Sequence, residues 1–566
     1  MAAPDSARHG RPDGKGPPVP QPPQAQPLMT RDEWRWVAIV SAAVMACTCV
    51  PYLFGWYITP PGFKYMGLLA NPDEHNVYLA WMREAVRGRA LFIDPFTTEP
   101  QRAGFFHGFF LVWGVAARLT HLPLIWVYHI ARVICGWLLL VSIYGLAAHL
   151  SERLLVRRLA WGFAAFSAGL GWLYALVNPT APVNPIDFGA GLVMPEAITF
   201  LSLLLNPLFC FSVSLMVALW TAYLAAVRTA SWKLAALGGL AGLVLGNAHT
   251  YNIITVWLTL AAFILVMAVS RRRVPMRELS FAALIGVMAA PFVIYQFWLF
   301  QTNTVFRDKA LTPTLTPSPQ YFLAGYGLVL ALAIPGAIMA LRRRNDSQML
   351  MVVWAVVTLS LVFFAPVSFQ RKLSEGLHVP VCLLAALFVG GWAAPRMRAG
   401  VAAALAVALV VASAPSNLFF LARGFRDLTN NNAAYVKALM PPLYLRTDVV
   451  SAMKWLGKNA DPNDAVLCMP LEGSYVPGMA GNTVFIGHWA ETLNYQEKLA
   501  LALWFFSLQP QPFDRREFMA RNGLDYILYT ANEVAAGPFN PAVSPDFEVV
   551  FGRPQAAIVR PRPGAR

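Results

Sequence analysis

The chain is 566 residues long, 57% hydrophobic and only 13% charged, with a formal net charge of +15. A mean hydropathy of +0.51 excludes an ordinary soluble domain, so the apolar runs are counted first as membrane spans. The positive charge carries none of the interleaved basic and aromatic residues that single-stranded nucleic acid needs, and no nucleic-acid partner is expected.

Residues 1–33 are rich in Pro, Gly and Gln and lack an apolar stretch, which reads as a disordered cytoplasmic tail and not a cleaved signal. Eleven spans are predicted, at 34–56, 124–149, 159–177, 207–227, 234–247, 252–270, 279–300, 321–341, 348–367, 380–395 and 400–422. Fourteen basic residues fall in alternate loops, from Arg153, Arg157 and Arg158 to Arg396 and Arg398. The intervening short loops hold only Arg307, Lys309, Arg371 and Lys372. Positive-inside asymmetry therefore predicts a cytoplasmic N-terminus, a multi-pass protein of the cytoplasmic (inner) membrane, and an extracytoplasmic segment after residue 423.

The first outer loop, 57–123, carries Asn71-Pro72-Asp73-Glu74-His75-Asn76-Val77-Tyr78, adjacent carboxylates just past the first span. The apolar and polar residues that follow have helical spacing, which predicts a helix lying in the interface plane. The stretch from Gly104 to His121 is short and holds His107 and Arg118, so it is expected to be re-entrant or interfacial. The second outer loop, from Asn178 to Asn206, holds Asp187 and Glu196 and no Lys or Arg. The third is a hairpin tip with His249 and Tyr251; the fourth, 301–320, carries Arg307, Asp308 and Lys309; the fifth runs from Ser368 to His378 through Arg371, Lys372 and Glu375.

Residues 424–566 read as a small α/β domain. Its predicted helices are 448–458, 494–507 and 514–522, and its strands 465–469, 526–529, 548–551 and 556–559. Of six cysteines five fall in spans, so Cys468 has no disulfide partner and the domain rests on its own core. His488-Trp489-Ala490-Glu491-Thr492 is a compact polar cluster in this domain, and Trp489 suits either an interface anchor or a sugar-stacking face.

Every outer loop offers titratable or hydrogen-bonding groups, whereas the inner loops offer little beyond arginine. No GxGxxG or GxxxxGK[ST] loop occurs, so the energy of a reaction has to come from an activated substrate already in the membrane. A lipid phosphate-linked sugar fits: its phosphate needs cations at headgroup depth and its acceptor hydroxyl needs a carboxylate base. Asp73 is either a helix N-cap or a catalyst, and two adjacent acids exceed what capping requires. Arg371 and Lys372 are either phosphate ligands or snorkelling span ends. Arg307 and Lys309 read as plain solvated charges. His249, Tyr251, His378 and Tyr78 are further candidates for substrate contact, and Asp73 with Glu196, helped by Asp187, is a candidate set for Mg²⁺ or Mn²⁺.

This arrangement resembles the GT-C superfamily of membrane glycosyltransferases, over roughly 34–423, in topology, in the Asp73-Glu74 pair, in the acidic second loop and in the late basic loop. The resemblance implies an all-α polytopic membrane domain followed by an extracytoplasmic α/β domain. It implies inverting transfer from a polyprenyl-phosphate sugar donor to an extracytoplasmic acceptor, with Asp73 as base, Glu74 assisting or binding a metal, and Arg371 and Lys372 on the donor phosphate. No WWDYG-like segment is present, which argues against protein N-glycosylation. The rival class is a flippase or transporter of lipid-linked sugars, for which charges buried in mid-span would speak.

Overall fold

The computed structural model describes residues 28–177, 194–430, 441–508 and 514–562; Asp187 and residues 1–27 of the expected tail lie outside them. Eight helices among the described residues are long and apolar enough to cross a membrane, or nine if the pair Ala399–Ala412 and Pro415–Thr429, bent by 43°, is one span. The other two expected spans are the 17-residue helices Trp232–Ala248 and Gly327–Arg343. At about 1.5 Å per residue each is roughly 25 Å long, a little short of the hydrocarbon core of about 30 Å. The first span starts at Arg31, earlier than expected, because Thr30 and Glu33 form a reciprocal capping box. Ile39, Leu265, Val287 and Phe364 stay exposed, as lipid-facing residues of a membrane protein do.

One charge is buried deep in a span. Arg132, on the helix Leu124–Leu150, is wholly inaccessible and donates to Thr48 Oγ1 (2.7 Å) and the Leu203 carbonyl (3.1 Å). With its donors committed to neighbouring helices it ties spans together and lines no pathway.

In the first outer loop the helix Pro72–Val86 is buried on most sides. The mixed face is covered by the C-terminal domain: Arg83 donates to the Gly478 carbonyl (3.1 Å) and Arg87 to the Ala480 carbonyl (2.8 Å). On another side packs the helix Gly108–Thr120, whose Gly114 permits contact, since a Cβ there would lie 2.5 Å from the Met82 carbonyl oxygen. At 13 residues Gly108–Thr120 is too short to cross a bilayer.

The C-terminal domain carries a five-stranded sheet in the order β4-β3-β5-β7-β6, with β3 Ala465–Leu467, β4 Thr483–Val484, β5 Tyr526–Thr530, β6 Phe547–Arg553 and β7 Ala556–Pro561. β3 pairs in parallel with β4 and β5, while β7 runs antiparallel to β5 and β6. β1 Phe63–Tyr65 pairs antiparallel with β2 Tyr444–Arg446, which staples the first outer loop to the start of this domain. Further ties are Thr492 Oγ1 to the Phe96 carbonyl (2.8 Å) and the buried Lys498 to Thr97 Oγ1 (2.9 Å) and Glu99 (2.8 Å). The loop is thus clamped between the membrane helices and the C-terminal domain, and the carboxylate pair sits at that seam.

Candidate active site

The chain enters the helix Pro72–Val86 through Asn71, a non-glycine residue at φ 47°, and Pro72 occupies the first helical position. Asn71 is the N-cap residue and makes no side-chain cap, so Asp73 is inside the first turn and not the cap. Asp73 and Glu74 therefore enter the first turn side by side, where the positive end of the helix dipole favours negative charge.

Their surroundings differ. Asp73 is 7% exposed and its Oδ1 has no hydrogen-bond partner among the described residues. Burial, and secondarily the neighbouring Glu74 charge, raise its carboxyl above the ordinary range against the pull of His488. Glu74 is hemmed in by protein yet keeps 46% of its side-chain surface accessible, as a group on the wall of a recess does. Desolvation opposes its charge, but His488, Lys372, His75 and Lys309 outweigh it and lower its pKa. One carboxylate is held ready to take a proton and the other is held ionised.

His488 comes from the C-terminal domain. Its Nε2 lies 3.7 Å from Asp73 Oδ2 and 3.7 Å from Glu74 Oε2. That is too long for a direct hydrogen bond. The Ala490 N–H donates to Nδ1 (3.1 Å), so in a neutral ring the proton sits on Nε2 and faces both acids.

Tyr78, one turn along from Glu74, reaches it at 3.5 Å and receives the Asn206 amide at 3.3 Å. Glu375 is completely buried and takes the His249 ring at 2.8 Å and the Tyr251 hydroxyl at 2.7 Å. Gly376, at φ 84°, makes the turn that follows Glu375, and a Cβ there would press on Met216 Sδ at 3.0 Å. Glu375, Glu196 and Glu74 all act electrostatically on Tyr78, so the first, second, third and fifth outer loops converge here.

Arg371 and Lys372 lie on the short 3₁₀ turn Gln370–Ser374, braced by the fourth loop through the Arg371 N–H to Thr314 carbonyl bond (3.1 Å). Arg371 Nε lies 2.8 Å from Glu196 Oε1, so the second outer loop supplies this arginine with an acidic partner. Among the described residues its terminal guanidinium nitrogens remain unengaged, and Lys372 is exposed on the side from which it acts on Glu74.

Three expectations change. His378 is 2% exposed, with Nδ1 on Thr199 Oγ1 (2.9 Å) and Nε2 on Ser167 Oγ (3.1 Å); both ring nitrogens are used in helix packing, and it is no substrate ligand. Of the expected metal set Asp187 lies outside the described residues, Glu196 faces Arg371 and Asp73 faces His488, and among the described residues no group of three or more His, Cys, Asp or Glu could hold an ion. Lys309 is not a solvated loop charge, because it pairs with Glu491 and lies 4.4 Å from the centroid of the Trp81 ring. Arg307 is solvated as expected, half exposed beside Asp308. His488, Glu491 and Glu375 were given no role from sequence; the cluster at 488–492 was the one signal for the first two.

A helical membrane domain, a clamped first outer loop with a carboxylate pair, and a small appended sheet domain make up the architecture. No protein-family model and no curated protein matches the sequence. Solved structures do match. An oligosaccharyltransferase from Archaeoglobus fulgidus, tethered to an acceptor peptide, aligns with 88% of this chain and 69% of its own, at 13% identity and TM-score 0.51. ArnT from Cupriavidus metallidurans in the apo state aligns over 93% of this chain and 97% of its own, at 13% identity and TM-score 0.51. The mycobacterial arabinofuranosyltransferase AftD aligns over 94% of this chain and 42% of its own, at 14% identity and TM-score 0.51.

Proposed function

We propose that this protein is a membrane glycosyltransferase that moves a sugar from a polyprenyl-phosphate donor to an acceptor hydroxyl on the extracytoplasmic side, with inversion. The observation that carries this reading is the Asp73-Glu74 pair, where a buried carboxyl with a raised pKa stands beside an ionised, accessible one. The three neighbours named above are membrane glycosyltransferases of the same fold, which supports the class.

In this mechanism the acceptor hydroxyl occupies the space between Asp73, Glu74 and His488, and gives its proton to Asp73 as its oxygen attacks the anomeric carbon. The bond from that carbon to the phosphate oxygen breaks, and the polyprenyl phosphate leaves with the negative charge. Arg371, ion-paired with Glu196, and Lys372 meet that charge. Glu74, ionised, stabilises positive charge developing on the sugar ring. The flippase alternative gains little from Arg132, which bonds to Thr48, Leu203, His129 and Cys49 within the helix packing.

The test is full-length protein in nanodiscs with radiolabelled polyprenyl-phosphate sugars and delipidated cell-envelope extract. Label should pass to the extract with wild type and not with Asp73→Asn. Transbilayer movement of donor with no cleavage of the phosphate–sugar bond would refute the enzyme and favour the flippase.

A further inference from the structure

Beside His488 the surface of the C-terminal domain carries an open hollow of about 610 Å³ lined by the exposed Trp489, Asn494, Gln496 and Glu497 and by the buried Tyr495. That is the size of a small-ligand site, typically about 300–1,000 Å³. Trp489 is 50% exposed, a large aromatic left open, and its indole lies almost parallel to the His488 ring, at 26° and 5.9 Å between centroids. Tyr495, nearly buried, feels the Asp73 carboxylate. Lys372 acts on Glu74 instead, so the cations and this cavity address different members of the acid pair.

The lining has a chemistry of its own. It holds no cation and one carboxylate, which disfavours a phosphate or any other anion. Two side-chain amides and a carboxylate suit a dense array of hydroxyls, and a half-open indole suits the apolar face of a sugar ring. We infer that this cavity is an acceptor subsite for a neutral glycan, with Trp489 as its stacking platform and the amides of Asn494 and Gln496 as its hydroxyl readers. The subsite would hold the sugar next to the one that reacts, so that the reacting hydroxyl reaches Asp73. This assignment rests on the transferase reading for the acceptor role, but the binding site itself does not.

The experiment uses full-length protein in nanodiscs and saturation-transfer NMR with four neutral trisaccharides as probes: α-1,6-mannotriose, α-1,5-arabinotriose, maltotriose and cellotriose. At least one should be saturated through its ring protons, and glucose 6-phosphate should not. Trp489→Ala should weaken that binding about tenfold or more, as loss of a central aromatic anchor does, and Trp489→Phe should retain part of it. Asp73→Asn should bind the probe as wild type does. Because Trp489 is half exposed, melting temperatures of both variants should stay at the wild-type value, which separates lost binding from lost folding. Failure of all four probes to bind, or equal binding by Trp489→Ala, overturns the subsite. A nitroxide on Trp489→Cys relaxed more by nickel-chelating lipid than by soluble nickel also overturns it and makes the ring a membrane anchor. Binding that passes this test without transfer of any sugar leaves the subsite standing and refutes the transferase. Transfer with an acceptor KM unchanged in Trp489→Ala does the reverse.

Discussion

Replacing Asp73 by asparagine keeps the size and shape of the side chain and removes its ability to accept a proton. Loss of a positioned general base costs about 10²–10⁴ in rate. At about 1.36 kcal/mol per tenfold this adds roughly 2.7–5.4 kcal/mol to the barrier. The structure also fixes the sign of the effect on stability. Burial raises the Asp73 carboxyl in the fold above its ordinary value of 3.8. Any stability this group provides is then fully present below that value and is lost as pH rises through the folded pKa. Where it is ionised in the fold the carboxylate is thus a liability, and Asp73→Asn should melt no lower than wild type. The difference should vanish below about pH 4, where the carboxyl is protonated in both states. Turnover should be read as polyprenyl phosphate released per enzyme, from acid to neutral pH, with melting temperature measured in parallel. Wild-type activity should rise on an acidic limb displaced above the usual aspartate range, and the variant should lack that limb. A variant that turns over normally and keeps the limb would refute the base assignment, and one that melts well below wild type at neutral pH would refute the account of burial.

Arg371→Ala should weaken donor binding by about 1.5–3 kcal/mol, while Arg307→Ala should leave it unchanged, as measured by titration in nanodiscs. Because the alanine strands Glu196, 6% exposed, its melting temperature should fall; adding Glu196→Gln should restore melting but not donor affinity. Tyr251→Phe removes one of the donors that Glu375 receives inside the protein and should cost about 1–3 kcal/mol by thermal melting. In the C-terminal domain burial, reinforced by Glu533, raises Glu472 above its ordinary 4.5, so wild-type melting should decline as pH rises past that range and Glu472→Gln should flatten the decline. For orientation, an impermeant maleimide added outside cells should label Ala535→Cys and miss Gly10→Cys; the reverse pattern would overturn the positive-inside assignment.

What the sequence disclosed follows from the range over which each signal acts. Apolar runs are local, and a helix lies at each of the eleven stretches expected to be spans, though Trp232–Ala248 and Gly327–Arg343 fall short of a full crossing and the last stretch is bent. The helices and longer strands of the C-terminal domain are also local and lie close to where the periodicity put them. The strands missed were β1, β2 and β4, two or three residues each, whose existence depends on a partner far along the chain.

The same distinction divides the site. Asp73-Glu74 stood out because consecutive acids are rare in so apolar a chain. Lys309 was misread because its local neighbour Asp308 suggests a solvated cluster, whereas its partner Glu491 arrives only when the C-terminal domain docks. His378 was misread in the opposite sense: a histidine at a span end resembles a headgroup ligand until Thr199 and Ser167 are seen to occupy both its nitrogens. His488 depends on still more. Its ring reaches the acids because Thr492 is bonded to the Phe96 carbonyl and Lys498 to Thr97, both within the same outer loop that carries Asp73. That loop is therefore scaffold as well as candidate site: the segment that presents the carboxylates also seats the domain that brings a histidine to them. If the proposed transferase reading holds, the reaction centre is completed by docking and not by the membrane helices alone, so a change at Thr97 or Lys498 should disturb turnover through the position of His488.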